Sequence, residues 1–134
     1  MDIQHTSCND CSFQNYIHLT LPVRCSYDSA ANDLFQAITE DNYESAKFIL
    51  NACKGMPIAI AKDVYGYSPL HCAAMRGNNA IITLLIENGA SVDEIDNYGI
   101  TPLLYAAYRG HKSSVTLLFL VSIIFNSFDF YSSI

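Results

Sequence analysis

Residues 63–87 and 96–120 of this chain are two versions of one sequence, and that repetition restricts its fold more than any other feature. The first copy reads DVYGYSPLHCAAMRGNNAIITLLIE, the second DNYGITPLLYAAYRGHKSSVTLLFL. Roughly twelve of about twenty-five aligned positions are identical, at a spacing of about 33 residues, within the period range of solenoid units. A unit of this kind cannot bury its apolar face alone, so copies must stack.

The residues of one copy dictate its local structure. Asp63 to Tyr67 reads as a turn, with Gly66 free to take positive φ and Asp63 able to bond the backbone two residues on. Ser68 is an N-cap and Pro69 stands at the first helical position, where a missing N–H costs nothing. Leu70, Ala73 and Ala74 then line one helical face, and Gly77 is placed to end that helix in the left-handed conformation. Ile81, Ile82, Leu84, Leu85 and Ile86 predict a second helix, closed near Gly89. Leu103, Ala106, Ala107, Gly110, Val115, Leu117 and Leu118 repeat the scheme, and Ala90 to Asp96 suits an extended hairpin arm.

Ser68-Pro69-Leu70-His71 and Thr101-Pro102-Leu103-Leu104 resemble the Thr-Pro-Leu-His signature of the ankyrin-repeat family. Asn88-Gly89-Ala90-Ser91-Val92-Asp93 is similar to its Gly-Ala-Asp-Val-Asn connection. The resemblance covers about Asp63 to Leu120, close to half the chain. It implies an all-α, short solenoid of about three stacked helix-turn-helix units with hairpin arms. A degenerate first unit is expected upstream: Leu34, Phe35, Ala37 and Ile38, then Ala46, Phe48, Ile49 and Leu50, flank Asp41-Asn42. Ala37 aligns with Ala73 if the Asn51–Lys62 connection holds about three extra residues, which loops tolerate. This unit lacks the Pro-Leu signature and the glycine at its inner turn.

The expected organisation is an extended or disordered segment over 1–28, a repeat domain over 29–120 and an atypical apolar tail over 121–134. The repeat domain divides at about 29–62, 63–95 and 96–120. Ile17, Leu19, Leu21, Val23 and Cys25 alternate with polar residues in a strand-like way, and Pro22 demotes that stretch to an edge. At the other end, the apolar run Val115–Phe125 is shorter than the ~20 residues a bilayer requires, so a buried or over-long helix is expected. No polar capping repeat follows it. The array therefore reads as a fragment of a longer one, or as an end that self-associates or pairs with another chain.

Composition narrows the function. A formal charge of −6, with seven Lys and Arg and no basic stripe, argues against nucleic acid or an anionic membrane as the main partner. Five scattered cysteines do not form a secreted disulfide pattern, and the N-terminus has no signal-peptide profile. A reducing, cytoplasmic setting is expected, with nothing to favour cytoplasm over nucleus. No catalytic motif is found: there is no phosphate-cradling glycine loop, no GxSxG and no HExxH. No cofactor or resident metal is expected. Cys8-x-x-Cys11, with His5, His18 and Cys25 nearby, is a single weak zinc-like pair. Cys72 matches Tyr105 in a core slot and reads as packing, while His111, the counterpart of Asn78, reads as exposed.

The family resemblance implies a non-enzymatic protein–protein interaction scaffold that binds through hairpin tips and first-helix faces, with His71 bracing neighbouring turns. Carried onto this sequence, the binding positions are Val64, Tyr65, Tyr67, Met75, Arg76 and Ile95 in one unit. In the next they are Asn97, Tyr98, Ile100, Tyr108 and Arg109. Tyrosine and arginine are enriched in binding hot spots, and two arginines one repeat apart are suited to fork onto carboxylates. The alternative is that Tyr65 and Tyr98 pack on each other and merely stiffen the stack. A second reading of the whole is a cytoplasmic array of a larger membrane channel or enzyme, acting as a regulatory tether.

Overall fold

A computed structural model describes residues 26–132, with side chains described as far as Phe125. The strand-like N-terminal stretch and the Cys8–Cys11 pair lie outside the described residues. Among the described residues, six α-helices form three pairs. They are α1 (Tyr27–Thr39) with α2 (Tyr43–Ala52), α3 (Pro69–Arg76) with α4 (Asn79–Glu87), and α5 (Pro102–Tyr108) with α6 (Lys112–Ser132). Among the described residues there is no strand, and no helix is long and apolar enough to cross a membrane. The first helices α1, α3 and α5 pack side by side in one row, and α2, α4 and α6 in a second.

The helices α1 to α5 start where the sequence provides a side-chain acceptor for the orphan N–H groups of the first turn. Ser26, Asn42, Ser68, Asn78 and Thr101 each accept from the backbone N–H three residues on. Pro69 and Pro102 occupy the first helical positions of α3 and α5. Leu34, Ala37 and Ile38 of α1 pack with Leu70, Ala73 and Ala74 of α3, and Ala106 of α5 continues the row. Ile49, Leu50, Ile81, Ile82, Leu85 and Leu118 close the core from the second row. Alanine at Ala37, Ala73 and Ala106 keeps neighbouring helices close, and all three are buried.

The inner turns differ in an instructive way. Gly77 and Gly110 take φ of 71° and 79°, as the left-handed end of a helix requires. The first unit has Asp41 there instead, at φ 56°. Its carboxylate receives both Arg76 Nε (3.0 Å) and Nη2 (2.8 Å) from the next unit, and Asn78 Nδ2 at 3.3 Å. An aspartate tolerates the left-handed region better than most residues, and here the side chain gains a partner by being there.

Three places add to the sequence reading or correct it. The connection between the first and second units includes a 3₁₀ turn, Ile58–Ile60, whose Ile58 and Ala59 join the core. His111 is not simply exposed: Nε2 donates to Met75 O at 2.9 Å, and its ring sits over Gly77, where an added Cβ would come within 2.6 Å. The C-terminal run is over-long rather than buried. α6 crosses residue 120 without a break, and beyond Leu118 its Phe119, Leu120, Ile123, Ile124 and Phe125 are all exposed.

Candidate functional site

The arms are built on one device used twice. Asp63 Oδ1 accepts from the N–H of Tyr65 and of Tyr67, both at 2.9 Å. Asp96 Oδ1, 33 positions on, accepts from Tyr98 and Ile100 at the same 2.9 Å. Backbone bonds complete each turn, Asp63 N to Tyr67 O (3.0 Å) in one and Asp96 N to Ile100 O (3.1 Å) in the other. The aspartate holds the tip in shape from beneath, which leaves the side chains between the two amides pointing outward.

Adjacent arms are tied to each other. Asn97 N donates to Tyr65 O and Asn97 Nδ2 to Val64 O, both at 3.4 Å. Lys62 Nζ reaches Ile95 O at 2.7 Å and Glu94 Oε2 at 2.7 Å. Gly66 is required at this crossing. It has φ 84°, and a Cβ there would meet Asn97 Oδ1 at 2.4 Å and Asn97 N at 2.7 Å.

Behind the tips lies a polar and aromatic pin. Ser68 N–H donates to His71 Nδ1 at 3.1 Å, which leaves the ring proton on Nε2, facing Ile100 O at 2.8 Å. His71 is buried, so burial lowers its pKa from the usual value and keeps it neutral, more strongly than the Ile100 bond opposes. The bracing role implied for this histidine is thus visible as a bond from the second unit into the third. Tyr67 and Tyr105 meet edge to face at 5.7 Å, and His71 packs edge-on against Tyr105 at 5.8 Å. The Tyr105 hydroxyl donates to Asp96 Oδ2. Burial would raise the Asp96 carboxyl, but that hydroxyl and the Ile100 and Tyr98 amides outweigh it and hold it below the usual range.

The sequence-predicted binding positions separate into two groups on this frame. Val64, Tyr65, Ile95, Tyr98 and Tyr108 are exposed, Val64, Tyr98 and Tyr108 at 84%, 74% and 86%. Asn97 and Arg109 are exposed as well, and Arg109 has no side-chain partner among the described residues. Tyr67, Met75 and Ile100 are half-buried and serve the stack: Tyr67 through its ring, Met75 and Ile100 through carbonyls that accept from His111 and His71. Arg76 is exposed but forked onto Asp41. Tyr65 lies 6.0 Å from Tyr67, on its own arm.

Two features escaped the sequence reading, which names no binding residue in the first unit. An open groove of about 680 Å³ runs between α1 and the first arm, lined by Tyr27, Asp28, Ala31, Asn32 and Phe35 and by Ala61–Val64. Tyr27 and Phe35 stand eight positions apart, on one helical face, which is the signal that could have revealed it. The second is Asp33, buried in α1 with no partner for Oδ2 among the described residues, its carboxyl pushed by burial up to about 7.

Burial, with Asp63 adding to it, pushes the Cys72 thiol up to about 12, which removes the thiolate at neutral pH. Among the described residues, no group of three or more His, Cys, Asp and Glu is placed to hold a metal ion.

Against known families, a model described as ankyrin repeats (3 copies) matches residues 34–129, well over half of the chain. No curated protein matches it.

Proposed function

The chain belongs to the ankyrin-repeat family, whose members are in general protein–protein interaction modules, and from that premise we propose that it is a non-enzymatic scaffold operating in the cytoplasm. It binds a protein partner through the arm tips and first-helix faces. Val64, Tyr65, Ile95, Tyr98 and Tyr108 supply the contact area and Arg109 the charged anchor; the half-buried Tyr67, Met75 and Ile100 hold these in place from behind, with Asn97 linking the tips.

The observation that carries this reading is the coincidence of exposure with rigidity. The exposed Val64, Tyr65, Ile95 and Tyr98 sit on or beside turns whose amides are held by Asp63 and Asp96 and whose neighbours are cross-linked by Asn97. A preformed surface loses little conformational entropy on association, so tyrosine contact area converts efficiently into affinity. Arg76, already engaged by Asp41, contributes less as a free fork than Arg109.

The test is a comparative capture from cell extract with the wild-type chain and the Tyr65→Ala/Tyr98→Ala double variant, read by quantitative mass spectrometry. Proteins held by the wild type and lost by the variant, at unchanged melting temperature, are the expected result. Identical capture lists would place any binding elsewhere.

A further inference from the structure

We propose that the open end of the third unit is a self-association surface, closed by a second copy of this chain. The 33-residue register makes the case, because each position in the third unit has a counterpart in the second. Leu70, His71, Ala74 and Ile82 are completely buried, covered by the unit that follows. Their counterparts Leu103 and Val115 are half-buried, Ala107 is exposed and Leu104 is 55% exposed. The same stacking face exists twice, filled once and open once.

The open face is not suited to another unit of the same kind. His71 links its unit to the next by donating from Nε2 to Ile100 O, and leucine at 104 has nothing to donate. α4 stops after nine residues at Asn88-Gly89, where the arm of the next unit begins. α6 runs for 21 residues, straight through the place from which such an arm would leave.

The surface instead has the properties of an isologous contact. Leu104 of α5 and the α6 stripe Phe119, Leu120, Ile123 and Ile124 are each about half exposed and present on the order of 500 Å² of apolar area per copy, within the range of a monomer's largest apolar patch. Two such faces bury about 1,000 Å² in all, the scale of a weak, reversible interface. Between Lys112 and Asp129 there is no Asp, Glu, Lys or Arg. Two chains of charge −6 therefore meet there without bringing like charges together. A two-fold, antiparallel pairing of α6 centred near Leu120 sets the Lys112 end of one copy beside the Asp129 end of the other, and closes at two.

Sedimentation of the whole 134-residue chain across a wide concentration range tests this. A reversible monomer–dimer equilibrium is expected. Leu104→Glu and Phe119→Glu, both at exposed positions, should weaken the dimer about tenfold or more with helicity retained, while Tyr98→Ala leaves it unchanged. Independently of any variant, hydrogen exchange in α6 of the wild type should slow as concentration rises. A folded monomer throughout, a dimer untouched by both glutamates, open-ended growth, or α6 exchange indifferent to concentration would each overturn the proposal.

Discussion

Asp33 and Cys72 show how burial sets chemistry one side chain at a time. The folded Asp33 carboxyl titrates near 7, above its ordinary 3.8, so between those values the folded chain keeps a proton that the unfolded chain has released. Its contribution is fully present below about pH 4 and is lost as pH rises to 7. Asp33→Asn should therefore raise the melting temperature at pH 8 and leave it nearly unchanged at pH 4, as scanning calorimetry at both values would show. A stabilisation equal at both would mean the carboxyl is not the cause. Cys72, held near 12, should react with iodoacetamide far more slowly in the native chain than in denaturant. Its core placement was legible in the sequence from alignment with Tyr105. The buried carboxylate of Asp33 was not, because it occupies an apolar helical stripe that gives no hint of a polar member.

Helices and turns are where the chain was most readable. Ser68-Pro69 and Thr101-Pro102 mark helix starts because a hydroxyl acceptor followed by a residue without N–H satisfies the first turn, whatever surrounds it. Inner turns were readable only in part. Gly77 announces a left-handed position; Asp41 in the same position carries no such label, and its conformation becomes understandable only with Arg76 beside it. The two should respond differently to substitution. Gly77→Ala combines left-handed strain with a collision against His111 and should cost about 2–3 kcal/mol in urea unfolding. Asp41→Gly removes the strain together with an exposed ion pair worth less than ~1 kcal/mol, and should change stability by less than about 1 kcal/mol. The arms follow the same division. Asp63-x-x-Gly66 and Asp96-x-x-Gly99 are turn sequences in their own right, whereas the crossing of Asn97 over Gly66 joins residues about thirty apart.

In the whole molecule, the units are coupled by bonds that pass from one to the next, among them Arg76 to Asp41, His71 to Ile100, His111 to Met75 and Lys62 to Ile95. His71 makes that coupling depend on pH. Its folded pKa lies below the unfolded 6.5, so its contribution is complete above pH 6.5 and is lost as pH falls below it, when only the unfolded chain gains the proton. Asp33 acts in the opposite sense over an overlapping range. The effect is therefore best read in the Asp33→Asn background, where denaturant stability should fall between pH 7 and pH 5. Replacing His71 by Asn should cost about 1–3 kcal/mol at pH 7.5 and flatten that pH dependence. An unaltered slope would assign it to another group.

The period, the helix starts and the apolar slots were written in the sequence alone, because each follows from residues within one turn of each other or from a 33-residue repetition. The sequence also identified the positions that reach the tips, since Asp63 and Asp96 shape those turns locally. Only the tertiary structure decided which of those positions remain available. Tyr67, Met75, Arg76 and Ile100 are drawn into the stack by partners 29 to 38 residues away, and the short C-terminal apolar run becomes an open helical face. Such pairings depend on how closely two units approach, a distance set by the alanines between them and by the whole pile of helices. No local pattern of residues records it.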